Sequence, residues 1–267
     1  MKKRLALLNL LSVVLVIAVN YLSQALRLNN TTIGEISVRY DNLFTPASYA
    51  FAIWGLIFLG LLAYAFFQIK RAFLSDRKSG FIEQTGYWFV LANVLNAAWV
   101  FAFVYEYTGL SVLIMLGILF SLIKIILNTD MERFDAPIEI IAFAWWPICI
   151  YSGWIAVATI ANISAYLVKV GWDGTPFSES TWTIVMIVIA TLLNLAIIQK
   201  RNMREFAAVG VWALFAIFFR HKSSFENIAY TALAGSILLL MAIMIHGYRN
   251  RHTNPFSKLQ ERISKRQ

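Results

Sequence analysis

The chain of 267 residues is 60% hydrophobic and 14% charged, against roughly 45–50% and 25% in an average soluble domain. This balance excludes a soluble enzyme with an aqueous cleft, and the charged residues gather between long apolar runs, as in polytopic membrane proteins. The net charge of +9 does not describe a nucleic-acid surface, because the basic residues fall at alternate connections and at the C-terminus rather than along one stripe.

A spanning helix needs about 20 predominantly apolar residues, which predicts spans near 5–25, 47–69, 86–105, 109–128, 138–168, 182–199, 205–219 and 228–247. The fold class is therefore all-α, a polytopic membrane helix bundle of eight spans in contact with lipid. The first run has a second reading: Met1-Lys2-Lys3-Arg4, an apolar stretch and Ser23-Gln24-Ala25 have the shape of a signal peptide. Cleavage there would leave seven spans and the same orientation for the rest.

The connection from Leu26 to Thr45 is long and rich in Asn and Thr, and reads either as a lid over a site or as a plain connector. In the third span, Asn93, Asn96 and Trp99 recur every three residues and share a helix face. Asn at membrane depth needs a partner inside the protein, so interhelical hydrogen bonding competes with ligand binding as its role. The fifth span, from Pro137 to about Val168, exceeds the bilayer core. Pro147 predicts a kink in it, and Asp135 and Glu139 fit capping and dipole complementarity at its start. On it, Trp154, Ala158 and Asn162 are spaced by four: a flat aromatic, a small residue and an amide on one face. That face suits a planar apolar ligand or close helix packing equally well.

Trp88, Trp172 and Trp182 fall near the interfaces and read as an aromatic belt. The seventh span is short. Asn194 and the small residues from Ala207 to Ala216 offer a face for packing the last helices on the rest. The basic tail, 249–267, reads as a solvated segment or, from Pro255, as a short amphipathic helix on anionic lipid.

Positive connections stay cytoplasmic. With the N-terminus inside, 17 Lys and Arg lie on the cytoplasmic side and five opposite, with Lys124 set aside as a snorkelling residue. Dropping the seventh span would put the basic tail outside, so eight spans with both termini cytoplasmic is the consistent layout, in a bacterial-type cytoplasmic membrane. It places Trp54, Trp99 and Asn162 in the outer half and Trp154 nearer the middle. The single Cys149 gives no disulfide framework or cysteine-based metal site, the three His lie near loops or the tail, and no hydrolase, phosphate-loop or zinc motif is present. No catalytic residue and no metal ligand is expected.

Residues 1–168 resemble the TspO/MBR family, the tryptophan-rich sensory proteins related to the mitochondrial translocator protein. Three stretches carry the likeness: Phe44-Thr45-Pro46 leading to Ile53-Trp54-Gly55, Leu95-Asn96-Ala97-Ala98-Trp99 continuing to Phe103, and Trp154-Ile155-Ala156-Val157-Ala158-Thr159-Ile160-Ala161-Asn162. The resemblance implies a five-helix core over 1–168, with three further helices over 169–248. It implies a pocket for porphyrins or other flat hydrophobic ligands lined by Trp54, Trp99, Trp154, Ala158, Asn162 and Asn96. It also implies a cover formed by Leu26 to Thr45, no covalent cofactor and a homodimer as the oligomer. Tyr49 and the lone Pro46 depart from the family's Trp and richer Pro at the pocket mouth, which bears on ligand shape. A sterol pattern from Leu62 through Tyr64 to Lys70 is too loose to imply sterol binding. Sensing, transport by movement of the last three helices, and light-dependent porphyrin breakdown at Trp54 and Trp154 are the functions to weigh.

Overall fold

The computed structural model describes residues 1–75, 77 and 79–251; the amphipathic reading from Pro255 lies outside them. The described chain is helical: α1 (Lys2–Ala25), α2 (Ile33–Arg39), α3 (Ile53–Phe73), α4 (Gly80–Thr85), α5 (Trp88–Val104), α6 (Thr108–Asn128), α7 (Ile138–Ile140), α8 (Trp146–Lys169), α9 (Glu179–Arg201), α10 (Arg204–His221) and α11 (Glu226–Arg249). In lipid a helix satisfies its backbone polar groups internally, which is why apolar runs of this length take that form.

Each predicted span is a helix. Among the described residues, six stretches are long and apolar enough to cross a membrane: 2–25, 48–73, 108–128, 138–169, 179–201 and 226–249. α5 has 17 residues. α10 has 18 and carries Arg204 and Glu205 at one end and Arg220 at the other, with a rise of about 27 Å. Large apolar side chains such as Leu59, Leu113, Leu192 and Met244 face outward, as expected where lipid rather than water surrounds the bundle.

Five helices close a ring: α1 packs on α3 and α5, α5 on α6, α6 on α8, and α8 on α3. α1 is held in it by buried amides, Asn9 donating to Gln68 Oε1 at 2.7 Å and Asn93 donating to Ser12 Oγ at 3.0 Å. α9, α10 and α11 pack on one another, and α10 docks this second group on α8. The close approach is at Gly153, where a β-carbon would sit 2.8 Å from the Phe206 carbonyl oxygen.

The structure refines three expectations. The irregularity ahead of Pro147 is a π-helical turn, Ile141–Trp145, feeding α8 with Pro147 in its first turn; the extra residue absorbs the hydrogen bond that proline cannot make. The N-cap of α7 is Pro137, without a side-chain cap, while Glu139 stands in the first turn, where it complements the helix dipole, and pairs with Arg77 at 3.5 Å. Asn194 does not reach the five-helix ring. It donates to Ala190 O within α9 and lies against Gly210 of α10.

Candidate functional site

The Asn93-Asn96-Trp99 face of α5 points between α1 and α8. Asn96 donates to Tyr151 Oη at 2.8 Å and accepts from Asn20 at 3.1 Å, linking three helices. One turn on, Trp99 Nε1 donates to Asn162 Oδ1 at 2.8 Å, and the Asn162 amide donates to Ser111 Oγ at 2.9 Å. Apart from the half-buried Asn20, the groups of both bridges are buried. Hydrogen bonding between helices, the first of the two roles open to these amides, is what Asn93, Asn96 and Asn162 perform here.

The same bridges bring several predicted residues together. Trp54 stacks on Phe58 at 5.3 Å between centroids and meets Tyr151 edge-on at 6.2 Å, so Trp54 and Asn96 share one tyrosine. Trp154 is 1% exposed, meets Phe51 edge-on at 5.7 Å, and its Nε1 has no acceptor. A buried indole N–H without a partner is uncommon and calls for an explanation. Ala158 is half-buried against the same core. Tyr64, of the loose sterol pattern, is buried with its hydroxyl on Thr85 at 2.5 Å, facing protein rather than lipid.

The connection between α1 and α3 is anchored rather than loose. α2 begins with a capping box: Thr32 Oγ1 accepts from Glu35 N, and the Glu35 carboxylate accepts from Thr32 N. That carboxylate also takes Arg27 and Thr31, and the Arg27 guanidinium holds it below the usual carboxylate value of 4.5. Arg39 and Tyr40 both bond Glu106, which raises the Tyr40 phenol above 10.0. Further along, the last three helices grip the chain. Leu43 N donates to Glu179 Oε1 at 3.1 Å, and His221 Nε2 contacts Leu43 O at 2.9 Å. Ala47 N donates to Ala216 O, and Arg220 binds Asp41, Asn42 and Thr45.

Beneath this strap, between the end of α8 and the start of α9, lies a recess of about 420 Å³. It is walled on α8 by Ile160, Ile163 and Leu167, and on α9 by Trp182 and Met186. Trp172 and Trp182, read from sequence as belt residues, line it with their rings 5.6 Å apart. The belt reading missed this, because interface depth and a pocket mouth recruit the same residue type. At the opposite end of the bundle a smaller cavity of about 190 Å³ is bordered by Glu132, Arg204, Glu205 and His246. There Glu132, Cys149 and Glu205 bring one ligand-type atom each within 4.8 Å of one another, a juxtaposition that a lone cysteine in the sequence does not reveal.

Long apolar helices with charges at their ends, joined inside by amide and tryptophan hydrogen bonds, define a polytopic membrane protein. The family model for TSPO-like protein matches residues 6–245, and the chain belongs to that family. The matched stretch runs through α9 and α10 into α11, so the last three helices lie inside it. No curated protein and no solved structure matches the chain at a significant level.

Proposed function

We propose that this TSPO-like protein is a sensory receptor of the cytoplasmic membrane, crossing it eight times with both termini inside, and that its ligand is flat and hydrophobic, of the porphyrin class. The ligand lies in the outer half of the five-helix ring, among Trp54, Trp99, Trp154, Ala158, Asn96 and Asn162. The observation that carries this reading is the unpartnered Trp154 Nε1, a buried donor held beside Phe51. A ligand acceptor would satisfy it, and the adjacent rings would stack on a planar body. Asn162 orients Trp99 in this reading, since its amide oxygen already receives the Trp99 indole.

The test is a dark titration of purified protein with protoporphyrin, following the porphyrin absorption band, beside Trp154→Phe and Ala158→Leu. The first removes the donor and the second adds bulk at the small residue between Trp154 and Asn162. Saturable binding weakened by both substitutions, with the melting temperature kept, is the expected result. Equal uptake by all three proteins and by empty micelles would refute the site.

A transport reading draws on one further observation: α9 and α10 hold the strap over the outer end through Glu179 and Arg220. A movement of those helices would move the strap. Porphyrin accumulation in sealed vesicles that depends on this protein separates transport from binding alone.

A further inference from the structure

The recess between α8 and α9 lies outside the five-helix ring and has no part in the porphyrin reading. Its volume, about 420 Å³, falls within the roughly 300–1,000 Å³ of small-molecule sites. The α8 wall is a stripe, Ile160, Ile163 and Leu167, spaced by three and four and so facing one way. Trp182 and Met186, four apart on α9, face it, and Phe44 of the strap lines the space as well.

The charged residues among the described lining carry one sign, beside the neutral Asn42, Ser164 and Thr183. Asp173 and Glu179 are exposed lining residues, and none of the described lining residues is Lys, Arg or His. Hydrogen bonds fix both acids: Asp173 Oδ1 accepts from Thr175 N at 3.0 Å, and Glu179 Oε1 accepts from Leu43 N at 3.1 Å. Thr175 holds the Asp173 carboxyl below the usual carboxylate value, so it is ionised at neutral pH. Lys169, close in sequence, is engaged elsewhere, donating to the Glu106 carbonyl and lying over the Tyr40 ring. The paired rings of Trp172 and Trp182 add aromatic faces, which attract cations.

We propose that this recess is a second ligand site, for an amphipathic amine: a compact hydrocarbon body between α8 and α9, with its ammonium at Asp173 and Glu179. The same charges repel a porphyrin dicarboxylate, which separates this recess from the porphyrin reading.

Three probes of one shape and different charge test it: 1-adamantylamine, 1-adamantanol and 1-adamantanecarboxylate. Each is titrated calorimetrically into the full-length protein in detergent, with a micelle blank. The expected order is amine, then alcohol, then carboxylate, with the amine favoured over the alcohol about fivefold, the scale of exposed ion pairs assisted by aromatic faces. The Asp173→Asn plus Glu179→Gln variant keeps both acceptor oxygens and should reduce amine affinity to that of the alcohol, leaving the alcohol unchanged. Ile163→Trp, which fills the slot, should abolish binding of all three. Wild-type protein alone also decides, since the amine preference should fall in 1 M salt. Equal affinity for amine and carboxylate, a preference that survives the double variant or high salt, or heat no greater than the micelle blank would each overturn the proposal.

Discussion

The guanidinium of Arg220, at the end of α10, donates to the main-chain oxygen of Asn42 at 2.9 Å and to that of Thr45 at 2.5 Å, while its other terminal nitrogen pairs with Asp41. One side chain from the last helices thus fixes three residues of the strap between α1 and α3. Hydrogen bonds from a charged donor are worth about 1.5–3 kcal/mol net when partly shielded, and this side chain is only 21% exposed. Arg220→Ala should therefore loosen the strap locally, raising amide exchange at Leu43, Thr45 and Ala47 about tenfold with little change in helix content. Arg220→Lys should give a smaller rise, because an ammonium lacks the planar fork. Unchanged exchange in the alanine variant would show that Glu179 and His221 hold the strap without it.

The Trp99–Asn162 bond separates packing from ligand binding. Asn162→Ala strips the Trp99 indole of its acceptor and Ser111 of one partner, which at a buried site costs about 1–3 kcal/mol. Trp99→Phe keeps the ring's contact with Phe103, 4.9 Å away and stacked, and removes one donor from an amide still bonded to Ser111. It should cost less. In a double-mutant cycle of thermal stability the two losses should be less than additive, with a coupling of about 0.5–2 kcal/mol. Strict additivity would mean that the bond contributes nothing and that the tryptophan stabilises by burial alone.

The spans were legible because a run of about 20 apolar residues admits few structures in lipid. The Asn93-Asn96-Trp99 stripe was legible by spacing, and its partners on α1 and α8 are where helical periodicity requires them. What spacing did not supply was which helix meets which. Asn194 reads as a residue facing the ring, yet packs on Gly210, since the choice depends on how α9 rotates against α10. The anchors of the strap were hidden for a different reason. They join main-chain groups of 42, 43 and 45 to side chains more than 130 positions away, and a main-chain group leaves no mark in the sequence. Trp172 and Trp182 carried a signal that fits both a belt and a pocket, and only the gap between α8 and α9 distinguishes them.

Gly153 sets how closely the last three helices approach the ring. A β-carbon there would come within 2.8 Å of the Phe206 carbonyl oxygen and 3.1 Å of Val209 Cβ, and neither a helix backbone nor a β-branched side chain yields easily. Gly153→Ala should destabilise the α8–α10 seam by about 1–3 kcal/mol, the usual cost of overpacking. Gly153→Leu should separate the two groups of helices, exposing the α8–α10 face to labelling of a cysteine placed at Val209. Equal labelling in wild type and the leucine variant would mean that the seam is not held closed at this glycine.

Glu35 gives the connection between α1 and α3 a pH response whose sign follows from its partners. Its carboxylate receives Arg27, Thr31 Oγ1 and Thr32 N, and its pKa in the folded protein lies below 4.5. A depressed acid contributes its stabilisation above its unfolded value and loses it as pH falls through the folded one. The capping box at the start of α2 should accordingly be intact at pH 6 and fray as pH drops through 4.5 and below. Glu35→Gln, which keeps an acceptor oxygen but not the charge, should fray to a similar degree at every pH in that range. Nuclear magnetic resonance of the Glu35 and Ile36 amides against pH reads both outcomes. A wild-type profile as flat as that of the variant would place the strength of the cap in the Thr32 hydroxyl rather than in the carboxylate.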